Sequence, residues 1–256
     1  MTTANQSLLA LEIIGLRKSF GAVEALRDAR LECPRGEITA LVGDNGAGKS
    51  TLIRCITGVY PHDGGEIRFE GEPVRFASPV EARRRGIETV YQDLALVEDL
   101  AVWQNMYLDR ELTRGFFPLR ILDRRMMIER TEQMLDRLLV NKPPVRARVR
   151  RLSGGQRQSI AIARAASWAS ALVIMDEPTA ALGLRERGSV EQLIQRLRGE
   201  GIAQLIVSHD LEQVMRLSDS IWVMRQGRTV AHFRTSEIDS QTIVATITGA
   251  SAEQAA

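Results

Sequence analysis

The 256-residue chain is poor in aromatics (5%) and cysteine, and it has no long apolar run. Few aromatics leave no stacking platform for single-stranded nucleic acid. The two cysteines, Cys33 and Cys55, share no metal-type spacing with each other or with His62; Cys55, in an apolar stretch past the glycine loop, reads as a reduced core thiol, which points to a cytoplasmic setting. No stretch reaches the length of a membrane span, and no basic-then-apolar block at the N-terminus signals secretion. A role at a membrane would need a partner to do the spanning. A net charge of only +2 argues against electrostatic capture of nucleic acid. Lysine is scarce: Lys18, Lys49 and Lys142 stand among 34 basic residues. No internal repeat and no low-complexity linker marks a second independent domain.

What is present is an ordinary globular composition, 44% hydrophobic and 26% charged, with enough chain for one large domain or a domain carrying an insertion. Such a core needs neither disulfides nor a structural metal. Residues 8–14 and 37–42 read as strands, and residues 50–58 as a helix ending at a glycine. Turns at Asp63-Gly64-Gly65 and Glu70-Gly71-Glu72 frame short antiparallel strands. From Asp93 to about Arg151, apolar residues such as Met127, Met134 and Leu138 recur at helical spacing and strand signals fade, which predicts a helical insertion. Residues 171–175 and 202–207 are continuous apolar runs, the mark of buried parallel strands. Strands alternating with helices predict an α/β sheet covered on both faces. From Ser236 a short helix leads into an alanine-rich tail.

Gly43-Asp44-Asn45-Gly46-Ala47-Gly48-Lys49-Ser50 fits G-x-x-x-x-G-K-[ST] in full, between a strand and a helix, with Thr51 next. Glycines let backbone N–H groups close around phosphate oxygens, and the helix N-terminus adds positive potential. Lys49 suits the β- and γ-phosphates of ATP, and the Ser50 hydroxyl suits Mg²⁺. Asp176 and Glu177 follow a buried strand, at the edge where open α/β sheets bind ligands. Asp176 fits a Mg²⁺ shell, and Glu177 fits a water aligned on the γ-phosphate. Read alone, Asp-Glu-Pro is a polar strand exit; beside a phosphate loop it reads as chemistry. Ser153 with Gln156 forms a capping box, yet Gly154 and Gly155 in the first turn disfavour helix by about 1 kcal/mol each relative to Ala. Small residues there would let a second anion approach.

Leu152-Ser153-Gly154-Gly155-Gln156, with the phosphate loop before it and Asp176-Glu177 after it, resembles the ATPase subunit of ATP-binding-cassette (ABC) transporters over essentially the whole chain. The resemblance implies a P-loop core at residues 8–91 and 166–235, a helical insertion at 92–165 and a C-terminal helix and tail at 236–256. It implies head-to-tail pairing of two copies, in which Ser153, Gly154, Gly155 and Gln156 of one close on the ATP of the other. It further implies adenine stacking by Phe20, Mg²⁺ sensing by Gln92 and a γ-phosphate contact by His209. Gly183 departs from the Asp usual after this loop, so no direct carboxylate contact between the two sites is implied. Thr179-Ala180-Ala181-Leu182-Gly183 and Glu88-Thr89-Val90-Tyr91-Gln92 are similar to importers of ribose, xylose and fructose. The implied partners are a second ATPase subunit, a transmembrane permease and, indirectly, a periplasmic sugar-binding protein, with the chain peripheral on the cytoplasmic face of the membrane. Leu94, Leu96, Leu100, Val102 and Trp103 are the expected permease groove, or else pack within the insertion. The competing class is a non-transport relative acting in DNA repair or on the ribosome; the coiled coil or paired cassettes typical of those are not visible.

Overall fold

The computed structural model describes residues 9–115, 119–139, 142–180 and 182–250; Leu8, Ala181 and the tail from residue 251 lie outside them. The chain opens with β1 (Leu9–Phe20) and β2 (Val23–Pro34), a long antiparallel pair turning at Gly21. β3 (Ile38–Val42), buried at every residue, leads into α1 (Lys49–Ile56). β4 (Gly64–Phe69) and β5 (Glu72–Val74) extend the antiparallel edge. α2 (Pro79–Arg84) starts with a proline behind the Ser78 cap, and β6 (Ile87–Val90) follows.

Next come α3 (Val102–Met106), a hairpin of β7 (Thr113–Arg114) and β8 (Ile121–Leu122), α4 (Arg124–Leu138) and α5 (Gly154–Trp168). The sheet resumes with β9 (Leu172–Asp176), α6 (Leu184–Gly199), β10 (Ala203–Val207) and α7 (Leu211–Leu217). A hairpin of β11 (Ser220–Arg225) and β12 (Arg228–Arg234) and then α8 (Ser240–Thr248) complete the described fold.

Ten strands join in the order β5-β4-β1-β2-β12-β11-β3-β10-β9-β6. β11, β3, β10, β9 and β6 run parallel, and β5, β4, β1 and β2 pair antiparallel beside them. This is the expected α/β architecture: a parallel sheet, flanking antiparallel strands and inserted helices. The side-chain period of two divides each central strand between two cores. Leu172 and Ile174 of β9 join Leu52, Ile53 and Ile56 of α1. Val173 and Met175 join Ile160 and Ile162 of α5 and Leu193 of α6. Each such side chain, fully buried, contributes about 1.5–3 kcal/mol.

Four strands of the main sheet exceed the sequence expectation. β2 was not anticipated because shifts in its register with β1 break the alternation of Leu26, Ala29, Leu31 and Cys33. β6, β11 and β12 were also missed. The insertion is not free of strands either, since β7 and β8 pair within it. The two cysteines are buried and free; burial pushes the Cys33 thiol up to about 12 and Cys55 to about 11, which leaves both inert.

Candidate active site

The loop between β3 and α1 uses glycine where L side chains are strained: φ is 148° at Gly43, 82° at Gly46 and 105° at Gly48. A Cβ on Gly43 would stand 2.2 Å from the Met224 carbonyl oxygen, and one on Gly48 2.8 Å from the Ala25 carbonyl oxygen. The loop is thus wedged between β2 and β11. Gly227, in the β11–β12 turn, donates its N–H to the Ala47 carbonyl at 2.9 Å and accepts the Arg27 N–H at 2.7 Å. Packing fixes the loop's shape, and strain of this kind persists only where its surroundings over-determine it.

No side chain caps the first turn of α1. Its backbone N–H groups are thereby left to an anion. Lys49 Nζ donates to the Gly43 carbonyl at 2.6 Å and the Asp44 carbonyl at 3.0 Å. Burial draws the Lys49 ammonium below the ordinary lysine range, while Glu177, Asp176 and Asp44 pull it back up.

β9 carries Asp176 to the same edge of the sheet. Burial, and then the adjacent Glu177 carboxylate, hold the Asp176 carboxyl above its usual range; Lys49 opposes both. Glu177 adopts left-handed backbone at φ 53°, with its N–H donated to the Val207 carbonyl at 2.9 Å. A non-glycine residue there costs about 1–3 kcal/mol. His209 Nδ1 lies 2.7 Å from Glu177 Oε1. An ionised carboxylate only accepts, so the imidazole N–H donates.

A cavity of about 540 Å³ brings together residues 45–51, Gln92, Asp176 and Glu177. Gly43, Asp44 and His209 face a neighbouring cavity against α8. Phe20 lines neither: it is 43% exposed and meets Tyr60 edge-on at 5.1 Å, with the Lys18 ammonium 5.3 Å from its ring. Ser153, Gly155 and Gln156 line a separate cavity with residues of α6. Their capping box is formed: Gln156 N–H donates to Ser153 Oγ at 3.3 Å, and Ser153 N–H to Gln156 Oε1 at 3.0 Å. Gly154 follows Ser153 as the first residue of α5.

Sequence reading missed Val23, Arg27 and Gln226, which line the nucleotide cavity from β2 and the β11–β12 turn. No local pattern marks them, because only the sheet order brings them there. Of the expected groove residues, Val102 is fully buried, while Leu94, Leu96 and Trp103 are half-buried against the second core. An open groove nearby is lined by Arg83, Glu88, Leu108, Arg110, Arg164 and Trp168, among others. Arg110 pairs with Glu88 there, and its guanidinium lies 4.8 Å from the Trp168 ring.

The donors around Asp176 fit Mg²⁺. Asp176, the Ser50 hydroxyl and the Gln92 amide offer oxygen ligands to one cavity. Among the described residues no group of three or more His, Cys, Asp or Glu could hold a metal.

Residues 26–180 match the model of the ABC transporter family. The chain belongs to that family, and it is an ATP-binding, ATP-hydrolysing cassette. It is 43% identical, over 93% of both chains, to the xylose/arabinose import ATP-binding protein of Sulfolobus acidocaldarius. It is 44% identical, over 92% of both, to the fructose import ATP-binding protein of Rhizobium meliloti. The galactose/methyl galactoside import ATP-binding protein of Escherichia coli is 38% identical over 99% of this chain, which spans 49% of that longer relative. Among solved structures, an ATP-binding cassette of an ABC transporter in its ADP conformation superposes with a TM-score of 0.79 at 26% identity, covering 94% of this chain and 95% of that one. No helix among the described residues is long and apolar enough to cross a membrane.

Proposed function

We propose that this chain energises a monosaccharide importer. The observation that carries the reading is the 38–44% identity, across almost the whole chain, to relatives named for the import of xylose or arabinose, fructose and galactose. A permease would supply the membrane span and a periplasmic sugar-binding protein the specificity, with this chain peripheral on the cytoplasmic face. The groove beside Trp168, between β6 and the insertion, is the surface we assign to the permease.

In the proposed mechanism the α1 N-terminus and Lys49 hold the phosphates. Ser50, Asp176 and Gln92 would hold Mg²⁺, which offsets phosphate charge when bound. Glu177 orients the attacking water, and His209 fixes the Glu177 carboxylate through the 2.7 Å contact. Phe20, exposed and outside the cavity lining, is the residue we assign to stacking on the adenine. The Ser153 end of α5 lines a separate cavity, so we assign it to the ATP of a second copy. The organisation we propose keeps residues 8–91 and 166–235 as the core, 92–165 as the insertion and 236–256 as a C-terminal appendage; α5 crosses the 165/166 border unbroken.

The test is uptake of labelled xylose, ribose, fructose and galactose by cells lacking the gene. One sugar's uptake should fall, and should return with the wild-type chain but not with Lys49→Ala. Unchanged uptake of all four, with the purified chain still hydrolysing ATP, would sink sugar import and leave the ATPase standing.

A further inference from the structure

Glu186, in the first turn of α6, has no part in the mechanism above. Its side chain serves its own helix and reaches a second one. Oε1 accepts the Gly155 N–H at 3.2 Å, and Oε2 accepts the Gly183 N–H at 3.4 Å. One carboxylate therefore ties together the starts of α5 and α6. The fit is close: a Cβ on Gly155 would stand 2.6 Å from Glu186 Cβ and 2.8 Å from its Cγ. A Cβ on Gly154 would meet only Leu182 Cδ2, at an ordinary 3.6 Å. The Gly155 N–H, then the Ser153 hydroxyl and the Gly183 N–H, hold the Glu186 carboxyl below its usual range. Together with the Ser153–Gln156 capping box, this gives the α5 N-terminus internal partners, one of them an anion.

We propose that Glu186 is a positioning residue that occupies the anion-binding end of α5 until a phosphate carried by a second copy displaces it. The proposal rests on the paired-cassette reading above. Two anions on one N–H repel, so phosphate and Glu186 exclude each other at Gly155. Displacement also frees the Gly183 N–H and loosens the start of α6. Two hydrogen bonds precede it: Leu182 N–H to the Thr179 carbonyl at 3.3 Å, and Ala180 N–H to the Glu177 carbonyl at 3.2 Å. The second ends at the residue that orients water in the chain's own site. Glu186 thus links the half-site a chain lends to its partner with the half-site it keeps.

The test uses Glu177→Gln, in which the ATP-bound pair should persist, and adds Glu186→Gln. Glutamine keeps the side-chain length and the cap at the third helical position but removes the competing charge. The ATP concentration for half-maximal pairing, followed by light scattering, should fall about twofold to fivefold in the double variant, the weight of one charge at a helix N-terminus. A merely structural strut would give an equal or higher concentration, and that result overturns the proposal. If Glu177→Gln alone fails to pair with ATP, the paired reading falls and this proposal with it. If it pairs and the double variant does not shift, only the role of Glu186 is lost.

Discussion

The chain contains two helix N-termini suited to phosphate, at α1 and at α5, and they are built on opposite principles. The α1 start has no cap, a loop of strained glycines and a lysine bonded to the loop's own carbonyls. The α5 start is capped by Ser153 and Gln156 and braced by Glu186. The first is shaped by neighbouring strands, with the Lys49 bonds holding the loop from within. The second is satisfied locally, before any partner arrives. A site that must grip a ligand alone is held open by its scaffold. A site that completes another's pocket can rest in a closed, self-bonded state.

The comparison can be broken most sharply at Glu177. Glu177→Gln should lower phosphate release by about 100- to 10,000-fold while ATP binding is kept, because the water loses its carboxylate; near-wild-type turnover would remove Glu177 from its role. Scaffolding of the α1 loop is tested by Gly43→Ala, which faces both positive φ and a carbonyl at 2.2 Å and should cost about 3 kcal/mol in denaturant unfolding. Gly46→Ala, with nothing within 4 Å of its Cβ, should cost only about 1 kcal/mol. Equal costs would mean the clamp from β2 and β11 is idle. Lys49→Ala should weaken ATP about 10- to 100-fold in a nucleotide titration, the loss of one charged hydrogen-bonding group.

The smallest effect concerns Asp176. Its folded-state pKa is raised, so the ionised form opposes folding at neutral pH, and that opposition fades as the pH falls toward the raised value. Asp176→Asn should therefore melt above wild type at neutral to mildly alkaline pH, with the gap shrinking as the pH is lowered. A gap that widens on acidification would reverse the sign argued for the site.

Much of this was legible in the sequence because it is local. The phosphate loop, the Asp176-Glu177 strand exit and the Ser153–Gln156 box each lie within a few residues, and their spacing alone encodes the geometry. The buried strands β3, β9 and β10 were legible as apolar runs. β2 was not, since its register shifts interrupt the alternation. The insertion's apolar residues read equally as groove or core in the sequence, and only the fold separates them: Val102 is fully buried, while Trp103 is half-buried.

The sequence by itself determined that the chain binds a nucleotide triphosphate and carries a second, glycine-rich capped helix start, because both follow from short-range backbone chemistry. The tertiary structure decided what surrounds them. Sheet order, set by pairings between residues as far apart as Asp28 and Arg228, placed Arg27 and Gln226 in the cavity and wedged Gly43 against Met224. The packing of α6 against α5 carried Glu186 to Gly155. Contacts of that range leave no periodic trace in a single chain, since each is one residue meeting another across the fold.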